Sequence, residues 1–321
     1  MDVKREFGVV GLGRIGGGLA GQALGKGMRV VGFDLQDPPE ELVEAGLIVA
    51  RSLDGFRAEM SPPRPVFVYI PAGPAVDEVI QDLASRLEEG DIVIDGGNSY
   101  WGDSIRRHRR LRERGIQFVD LGTSGGVEGA LHGACFMAGG EQEAMARVEP
   151  LLLELATEGG YVHAGGPGAG HFVKLVHNGI EFGMMQAIGE GVDLLENYRE
   201  KLNIADVLRC WRHGSVIRSW LVDLMEAAYR EEAGMDEVAS YVDDTGEVNW
   251  LVNDAIRMEV ATPVIAQSIM QLIASRDDRR NWARAIAMMR RRFGGHPYGP
   301  VEAVAREREE GRVGDFFRGE D

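Results

Sequence analysis

The feature that most constrains this chain is a glycine pattern close to its start, in the stretch GVVGLGRIGGGLAGQALGKGMRVVGFD. Gly11, Gly13 and Gly16 have G-x-G-x-x-G spacing, between an apolar run of strand type and a helical pattern. In that context the spacing predicts a dinucleotide-binding β-α-β unit, with the pyrophosphate at the helix N-terminus. The first glycine permits the tight turn, the second the approach of the pyrophosphate, and the third close helix packing. The predicted cofactor contacts are Gly11, Leu12, Gly13, Arg14, Ile15 and Gly16.

The preference between the two nicotinamide dinucleotides is predicted from Asp34. This residue ends the second apolar run, 18 residues after Gly16, and no arginine directly follows it. A carboxylate at this position accepts hydrogen bonds from the ribose hydroxyls and repels a 2′-phosphate. The sequence therefore predicts NAD as the cofactor, against the alternative of a glycine-rich turn that binds nothing.

The first half of the chain alternates short apolar runs with helical patterns. Nearly continuous apolar strands separated by helices are typical of a doubly wound, mainly parallel sheet. Pro74 suits the first turn of its helix, where the missing N–H costs nothing. The predicted strands lie in FGVVGLG, MRVVGFD, PVFVYIP, DIVIDGG, IQFVDLG and ACFMAGG.

After Gly170 the strand pattern stops and helical patterns follow. The fold class is therefore predicted as α/β, with a Rossmann-type doubly wound parallel sheet in residues 1–163 and an all-α C-terminal domain in residues 164–321. A glycine-rich segment, HAGGPGAGH, joins the two. The predicted helices of the second domain cover residues 170–197, 204–232, 247–259, 263–275 and 279–292.

Composition excludes several classes of partner. A net charge of −16 argues against a general surface for nucleic acids or anionic membranes. No apolar run reaches the length of about 18 residues that a membrane span needs, and the N-terminus lacks a signal-peptide pattern. Cys135 and Cys210 have no metal-ligand spacing and lie in apolar surroundings, so free, buried thiols in a cytoplasmic protein are expected.

Two further loops are predicted to face the nicotinamide end of the cofactor. Asn98 follows the strand IVID, and Ser124, Gly125 and Gly126 follow the strand after it. Ligands of open parallel sheets bind at the carboxyl ends of the strands, and exposed N–H groups at a Ser-Gly-Gly turn suit a carboxylate. The alternative is that glycine and asparagine only shape tight turns here.

A polar stripe interrupts the apolar segment GHFVKLVHNGIEFG, which begins at Gly170. Lys174, His177, Asn178 and Glu181 have the i, i+3, i+4, i+7 spacing of one helix face. Such a stripe is compatible with a solvated face. The two loops and the dinucleotide pattern favour a stripe that faces a cleft.

These motifs together carry a family resemblance. IDGGNS, TSGGVEGA and KLVHNGIE, with the glycine fingerprint, resemble the decarboxylating 6-phosphogluconate dehydrogenases in their short form, within the β-hydroxyacid dehydrogenases. The resemblance implies NAD-dependent oxidation of the 3-hydroxyl with Lys174 as base, then loss of CO₂ and protonation by Glu181 of C1 of the resulting enediol. A desolvated lysine can act as such a base. No metal is needed, because the 3-keto group is the electron sink.

The resemblance also assigns binding residues. A sugar acid would be the substrate, in a homodimer whose C-terminal segment completes the partner's site. Asn98 is placed beside both substrate and cofactor. The implied substrate contacts are Asn98, Ser124, Gly125, Gly126, His177, Asn178, Arg290 and His296, the last two reaching the far phosphate from the partner subunit.

The chain departs from the family at the far end of the substrate. Phe182 stands where members usually have tyrosine, Leu272 where they have arginine, and Asp243 where long forms have lysine. Charge-assisted hydrogen bonds contribute ~1.5–3 kcal/mol each, so two lost donors would weaken phosphate binding strongly. Gluconate with a 6-sulfonate or no substituent is therefore a rival substrate to 6-phosphogluconate.

Two other readings remain open from the sequence. A non-catalytic dinucleotide-binding protein would not need Lys174 and Glu181 beside the Asn98 and Ser124 loops. A β-hydroxyacid dehydrogenase without decarboxylation would share the fold and a lysine, but such enzymes generally lack the HNGIE continuation.

Overall fold

The structure is a computed structural model that describes residues 5–232, 234–244, 246–300 and 302. Strands and helices alternate up to Gly165, and only helices follow among these residues. The strands are β1 Glu6–Val10, β2 Arg29–Phe33, β3 Ile48–Val49, β4 Pro65–Val68, β5 Ile92–Asp95, β6 Gln117–Ser124, β7 Ala134–Gly140 and β8 Ala156–Gly165. The helices are α1 Arg14–Gly25, α2 Glu40–Glu44, α3 Gly55–Glu59, α4 Pro74–Arg86, α5 Trp101–Arg112, α6 Gly126–His132, α7 Gln142–Leu155, α8 Ala169–Glu196, α9 Ile204–Trp211, α10 Trp220–Glu231, α11 Glu247–Arg257, α12 Pro263–Ser275 and α13 Asn281–Gly294.

The sheet confirms the predicted fold class. Its strand order is β3-β2-β1-β4-β5-β6-β7-β8, and every neighbouring pair is parallel except β6 and β7. The order reverses between β1 and β4, which is the switch point where open α/β sheets bind ligands. The carboxyl ends of β1, β4, β5 and β6 therefore lie along one edge.

Side chains that alternate along the strands supply two hydrophobic cores. Phe67 of β4 and Ile94 of β5 lie in one core, whereas Val66 and Val93 of the same strands lie in the other. This alternation follows from the two-residue period of a strand. Apolar residues on both faces explain why the sequence runs are continuous and do not alternate with polar residues.

All six predicted strands are present, and two further strands were not predicted. β3 has only two residues, and β8 begins with the polar, glycine-containing sequence ATEGG. The apolar run around β3, LIVA, is too short to predict a strand, and the start of β8 has no apolar run. β8 pairs in parallel with β7 and is mostly accessible, so the sheet edge rather than its own composition determines its conformation.

The predicted helix over residues 204–232 is wrong in its middle. α9 ends at Trp211, and α10 begins after Ser219, whose side chain accepts a hydrogen bond from the N–H of Val222. Gly214, with φ +79°, lies in the intervening turn. The serine cap and the glycine together explain the break.

The chain forms two compact units. The first comprises Met1–Gly179 and Gly246–Met258, and the second comprises Ile180–Thr245 and Glu259–Asp321. The first unit therefore contains the whole sheet, the start of α8 and α11. These units divide within α8, and the first one is built from two stretches of chain. The domain boundary expected between residues 163 and 164 stays a prediction.

The structure bears on two expectations from the sequence, which concern the cysteines and membrane-spanning helices. Cys135 and Cys210 are free, but both are exposed, so the expectation of buried thiols is wrong. Apolar neighbours in the sequence did not indicate burial, because Cys135 lies in a strand whose successive side chains point to opposite faces. No helix within the described ranges is long and apolar enough to cross a bilayer.

Candidate active site

The glycine fingerprint has the backbone geometry that a pyrophosphate requires. Gly11 has φ +91°, and a Cβ there would lie 2.2 Å from the carbonyl oxygen of Tyr69. A Cβ on Gly16 would lie 2.0 Å from the carbonyl oxygen of Gly11, so α1 packs directly on the turn. By contrast, a Cβ on Gly13 would meet nothing within 4 Å. This open space in front of the helix N-terminus fits a phosphate group.

Asp34 is tied to the same turn. Its carboxylate accepts hydrogen bonds from the N–H of Leu12 at 2.6 Å and from the N–H of Gln36 at 3.0 Å. These bonds hold the half-buried carboxylate at the end of β2, next to the fingerprint turn. A ribose whose pyrophosphate lies on Gly13 would reach this position. Arg14 is exposed and Ile15 half-buried at the start of α1.

A buried aspartate that the sequence reading missed fixes the start of α8. Asp120 of β6 is fully buried and accepts hydrogen bonds from the N–H groups of Gly168 at 2.7 Å and His171 at 2.8 Å. Burial raises the pKa of the Asp120 carboxyl group, although His171 and the backbone N–H groups act against that shift. The carboxylate thus satisfies donors at a helix terminus, where unpaired N–H groups would be costly.

Glycines allow α8 to lie directly on the sheet. A Cβ on Gly170 would come within 2.6 Å of three backbone atoms, in Asp120, Met137 and Gly139. A Cβ on Gly122 would lie 2.5 Å from the Cβ of Lys174. Lys174 therefore stands over β6, and its position depends on the absence of side chains beneath it.

Four of the predicted site residues of the first unit form one hydrogen-bonded cluster around Lys174. Lys174 Nζ donates to Asn178 Oδ1 at 2.8 Å and lies 3.4 Å from His177 Nδ1. His177 Nε2 lies 3.1 Å from Ser124 Oγ. Asn178 Nδ2 donates to Asn98 Oδ1 over a longer distance, 3.4 Å. The stripe on α8 thus faces the loops after β5 and β6, as the cleft hypothesis predicted for these residues.

Asn98 also has a partner that sequence reasoning did not find. Its Nδ2 donates to Oε1 of Glu247 at 2.6 Å, and Glu247 is buried at the start of α11. No sequence signal connects two residues 149 positions apart. A buried acid directly after a turn glycine, Gly246 with φ +84°, was the only local clue.

The loop that carries Asn98 is supported from below. Asp95, at the end of β5, accepts hydrogen bonds from the N–H of Gly97 at 3.2 Å and from Arg107 at 2.8 Å. Arg107 is itself buried and also donates to Asp77 at 2.9 Å. The ion pairs of Arg107 with Asp95 and Asp77 offset the cost of burying these charges and fix the end of β5.

α11 is attached to the same region by a second buried acid. Asp254 accepts hydrogen bonds from the Tyr100 hydroxyl at 3.0 Å and from the Trp101 indole at 2.7 Å. Burial, together with this hydrogen bond, raises the pKa of Tyr100. α11 is therefore held beside the loop after β5 independently of Glu247.

The Ser-Gly-Gly turn has a conformation that only glycine adopts easily. Gly125 has φ +110° and Gly126 has φ +58°, directly after Ser124 at the end of β6. Consecutive positive φ values turn the backbone sharply into α6. The predicted role of these N–H groups in binding a carboxylate remains a prediction.

The remaining predicted residues belong to the second unit. Glu181 and Phe182 are half-buried on α8, whereas Arg290 on α13 and His296 after it are exposed. Asp243 forms an ion pair with Arg276 at 3.2 Å. The roles predicted for Glu181, Arg290 and His296 remain predictions.

Comparison with known proteins identifies the family. Residues 6–165 match the NAD binding domain of 6-phosphogluconate dehydrogenase, and residues 170–291 match the 6-phosphogluconate dehydrogenase C-terminal domain. The chain belongs to the 6-phosphogluconate dehydrogenase family. Membership confirms the resemblance seen in the motifs and makes the chain a decarboxylating dehydrogenase that acts on the hydroxyl group of a hydroxy acid. The non-catalytic alternative is therefore wrong.

Sequence similarity to individual proteins named as 6-phosphogluconate dehydrogenases extends over nearly the whole chain. A Bacillus subtilis protein named "Putative 6-phosphogluconate dehydrogenase YqeC" is 44% identical over 91% of this chain and 98% of its own length. The NAD(+)-dependent, decarboxylating 6-phosphogluconate dehydrogenase of Haloferax volcanii is 38% identical over 91% of this chain and 97% of its own.

A solved 6-phosphogluconate dehydrogenase has the same fold. The Plasmodium falciparum enzyme, whose structures include complexes with its cofactor NADP⁺ and its substrate 6-phosphogluconate, superposes with a TM-score of 0.78 at 25% identity. The match covers 94% of this chain and 68% of that one. Proteins of this family thus include enzymes named for either nicotinamide dinucleotide, and residues 6–165 of this chain match the family's cofactor-binding domain.

Proposed function

We propose that this enzyme catalyses the NAD-dependent oxidative decarboxylation of 6-phosphogluconate, or of a gluconate with another C6 substituent, to a ketopentose and CO₂. The cluster of Ser124, His177, Lys174, Asn178 and Asn98 is the observation that carries the proposal. It places one amine among amide, imidazole and hydroxyl groups at the carboxyl ends of β5 and β6. Such a site suits a polyhydroxylated acid, whose hydroxyl groups need several hydrogen-bonding partners.

In the proposed reaction Lys174 acts twice. Nζ first accepts the proton of the substrate's 3-hydroxyl. The nicotinamide ring, when bound, supplies the two-electron acceptor for C3. As the C1–C2 bond breaks, its electron pair moves toward the 3-keto oxygen, and protonated Lys174 donates to that oxygen. Asn98 and the Ser124 turn hold the carboxylate, while His177 and Asn178 bind hydroxyl groups around C3.

The last proton transfer is assigned to Glu181. After CO₂ has left, the terminal carbon of the enediol must gain a proton to give the ketopentose. Glu181 lies on α8 two turns beyond Lys174 and is half-buried. The assignment follows from the family motif, in which an acid holds this position.

NAD is the proposed cofactor because of Asp34. The carboxylate is held beside Gly13 by two backbone N–H groups, so a 2′-phosphate would face a fixed negative charge. The Haloferax volcanii relative, by its name, also uses NAD.

Replacing Asp34 with serine is expected to reduce the preference for NAD by about 10²-fold. The variant loses the repulsion of the 2′-phosphate and one or more ribose hydrogen bonds, worth ~1.5–3 kcal/mol each for a charged acceptor. The measurement is kcat/KM with NAD and with NADP for both proteins. Asp37→Ser, an exposed acid three residues on, is the matched control and should leave the ratio unchanged. Strict use of NADP by the unaltered enzyme would overturn the assignment.

A rival substrate is favoured by three side chains of the second unit. Phe182, Leu272 and Asp243 occupy positions where the resemblance places phosphate donors, and Asp243 already pairs with Arg276. A 6-sulfonate carries one negative charge where a phosphate carries nearly two. Oxidation of 6-deoxy-6-sulfogluconate or of gluconate is the second candidate function.

Steady-state kinetics with these three acids distinguish the candidates. If 6-phosphogluconate is the substrate, its kcat/KM should exceed that of the other two by at least ~10²-fold, with one CO₂ released for each NADH. A higher kcat/KM for the sulfonate would establish the second candidate. NADH without CO₂ would contradict the decarboxylating mechanism.

A homodimer is proposed for the site's completion. Arg290 and His296 are exposed, although the family resemblance gives them an anion to bind. α13 also exposes large apolar side chains, among them Trp282, Met288 and Phe293. Exposed apolar faces of this kind mark association surfaces. We assign α13 to the subunit interface, with Arg290 and His296 serving the partner's site.

A further inference from the structure

Glu247 is a buried charge in the cluster to which no role has been assigned. Its carboxylate, on the first residue of α11, accepts a hydrogen bond of 2.6 Å from Asn98. A buried carboxylate is costly unless it is compensated. α11 does not need it for attachment, because Asp254 already bonds to Tyr100 and Trp101. Glu247 therefore calls for an explanation other than the anchoring of its helix.

The hydrogen bonds from Glu247 to Lys174 form a chain with one possible direction. A carboxylate only accepts, so Asn98 must present its NH₂ group to Glu247 and its oxygen to Asn178. An ammonium group only donates, so Asn178 must present its oxygen to Lys174 and its NH₂ group to Asn98. The anion at one end and the cation at the other thus determine the orientation of both amides.

We propose that Glu247 is a positioning residue that orients Asn98 and Asn178 and, through these two amides, adds a negative charge that stabilises the Lys174 ammonium group. Aligned amides between opposite charges polarise one another, which strengthens each bond in the chain. Glu247 itself touches neither substrate nor cofactor in this scheme and exchanges no proton.

The catalytic consequence rests on the proposed function. When Lys174 takes the proton of the 3-hydroxyl, a positive charge forms on Nζ. The chain to Glu247 stabilises that charge without reorganisation, because the amides already point the correct way. The same orientation leaves Asn98 and Asn178 with a fixed pattern of donors and acceptors toward a sugar acid.

The charge effect can be measured without any substrate. The sequence has four lysines, Lys4, Lys26, Lys174 and Lys201, so the ¹³Cε signals of the lysine side chains are few enough to assign by single substitutions. Glu247→Gln keeps a hydrogen-bond acceptor for Asn98 but removes the charge. Loss of the Glu247 charge favours the neutral amine, so the titration midpoint of Lys174 should move about half to one pH unit lower.

Other groups near Lys174 are common to both proteins. His177 Nδ1 lies 3.4 Å from Nζ, and Glu181 lies two turns further along α8. β6 places Gly122 beneath Lys174 and Ser124 beside His177, and its buried Asp120 lies at the start of α8. Because these groups are unchanged, the difference between the two titrations reports Glu247.

Asp254→Asn is the matched control. It also removes a buried acid from α11, but seven residues away, roughly 10 Å along the helix and outside the hydrogen-bond chain. The Lys174 midpoint should shift markedly less than in Glu247→Gln. Equal shifts in the two variants, or no shift in Glu247→Gln, would overturn the proposal.

Turnover provides the second readout. Once a substrate is found, Glu247→Gln should lower kcat by about 10-fold with KM changed less than about 3-fold, and Glu247→Ala, which also releases Asn98, should lower kcat by about 10²-fold. An unchanged kcat in both variants contradicts the positioning role. If the unaltered enzyme oxidises none of the three gluconates, the proposed function fails, whereas the substrate-free titration still decides the role of Glu247.

Discussion

Replacing Lys174 with methionine is expected to reduce NADH formation by at least about 10³-fold. Methionine has a similar length but cannot accept the proton of the 3-hydroxyl or return it during decarboxylation, and each such transfer contributes ~10²–10⁴-fold. Binding of NAD should stay within a few-fold of the unaltered enzyme, because the fingerprint glycines and Asp34 lie on other elements. Single-turnover absorbance at saturating substrate, with a separate NAD titration, measures both.

Lys201→Met is the control for this variant. Lys201 is exposed and precedes α9, so its loss should change neither turnover nor cofactor binding. Substantial residual turnover in the Lys174 variant would refute the assignment of the base. Failure of that variant to bind NAD would instead indicate a folding defect, which the thermal unfolding of the two variants would reveal.

Replacing Gly170 with alanine is expected to have the largest effect on stability. The new methyl group would lie 2.4 Å from the carbonyl oxygen of Asp120 and 2.5 Å from that of Met137, and backbone atoms cannot rotate away. Overpacking of this kind typically costs ~1–3 kcal/mol, which corresponds to a fall of about 2–5 °C in Tm for a chain of this size. The start of α8 must move, and a shift of about 1 Å at Lys174 would lower kcat by ~10²-fold.

Gly166→Ala provides a close comparison. Gly166 lies in the same glycine-rich segment, but a Cβ there meets nothing within 4 Å. Its replacement should leave Tm within about 1 °C and kcat unchanged. If both alanine variants behave alike, the contact of α8 with the sheet does not position Lys174. Calorimetry and steady-state kinetics on the two variants decide the point.

The sheet could be predicted from the sequence because its strands are buried on both faces. Continuous apolar runs such as PVFVYIP mark strands whatever the rest of the chain does. β8 has no such apolar run and was therefore not predicted. The break between α9 and α10 depends on one capping serine, which a search for helical periodicity does not detect. The exposed Cys135 shows a further limit, since apolar neighbours in a strand do not determine which face a side chain occupies.

The candidate site could be predicted only in part, because some of its residues have no local sequence signal. Local motifs gave Lys174, His177, Asn178, Asn98 and Ser124, and the structure brings these five together. Asp120 and Glu247 were missed because each acts on a residue distant in sequence: Asp120 on the start of α8, and Glu247 on a loop 149 residues earlier. Buried acids of this kind have no local spacing rule, so only tertiary structure reveals them.

The segment Gly246–Met258 has a consequence for how this enzyme can be made. It belongs to the same compact unit as the sheet, yet it follows Ile180–Thr245 in the chain. A gene fragment that stops at the end of the sheet would encode the dinucleotide fingerprint without Glu247 or Asp254. On the ribosome, too, the first unit cannot be completed until residue 258 of 321 has emerged. Efforts to express the nucleotide-binding part alone should therefore join this helix to it through a linker rather than simply shorten the chain.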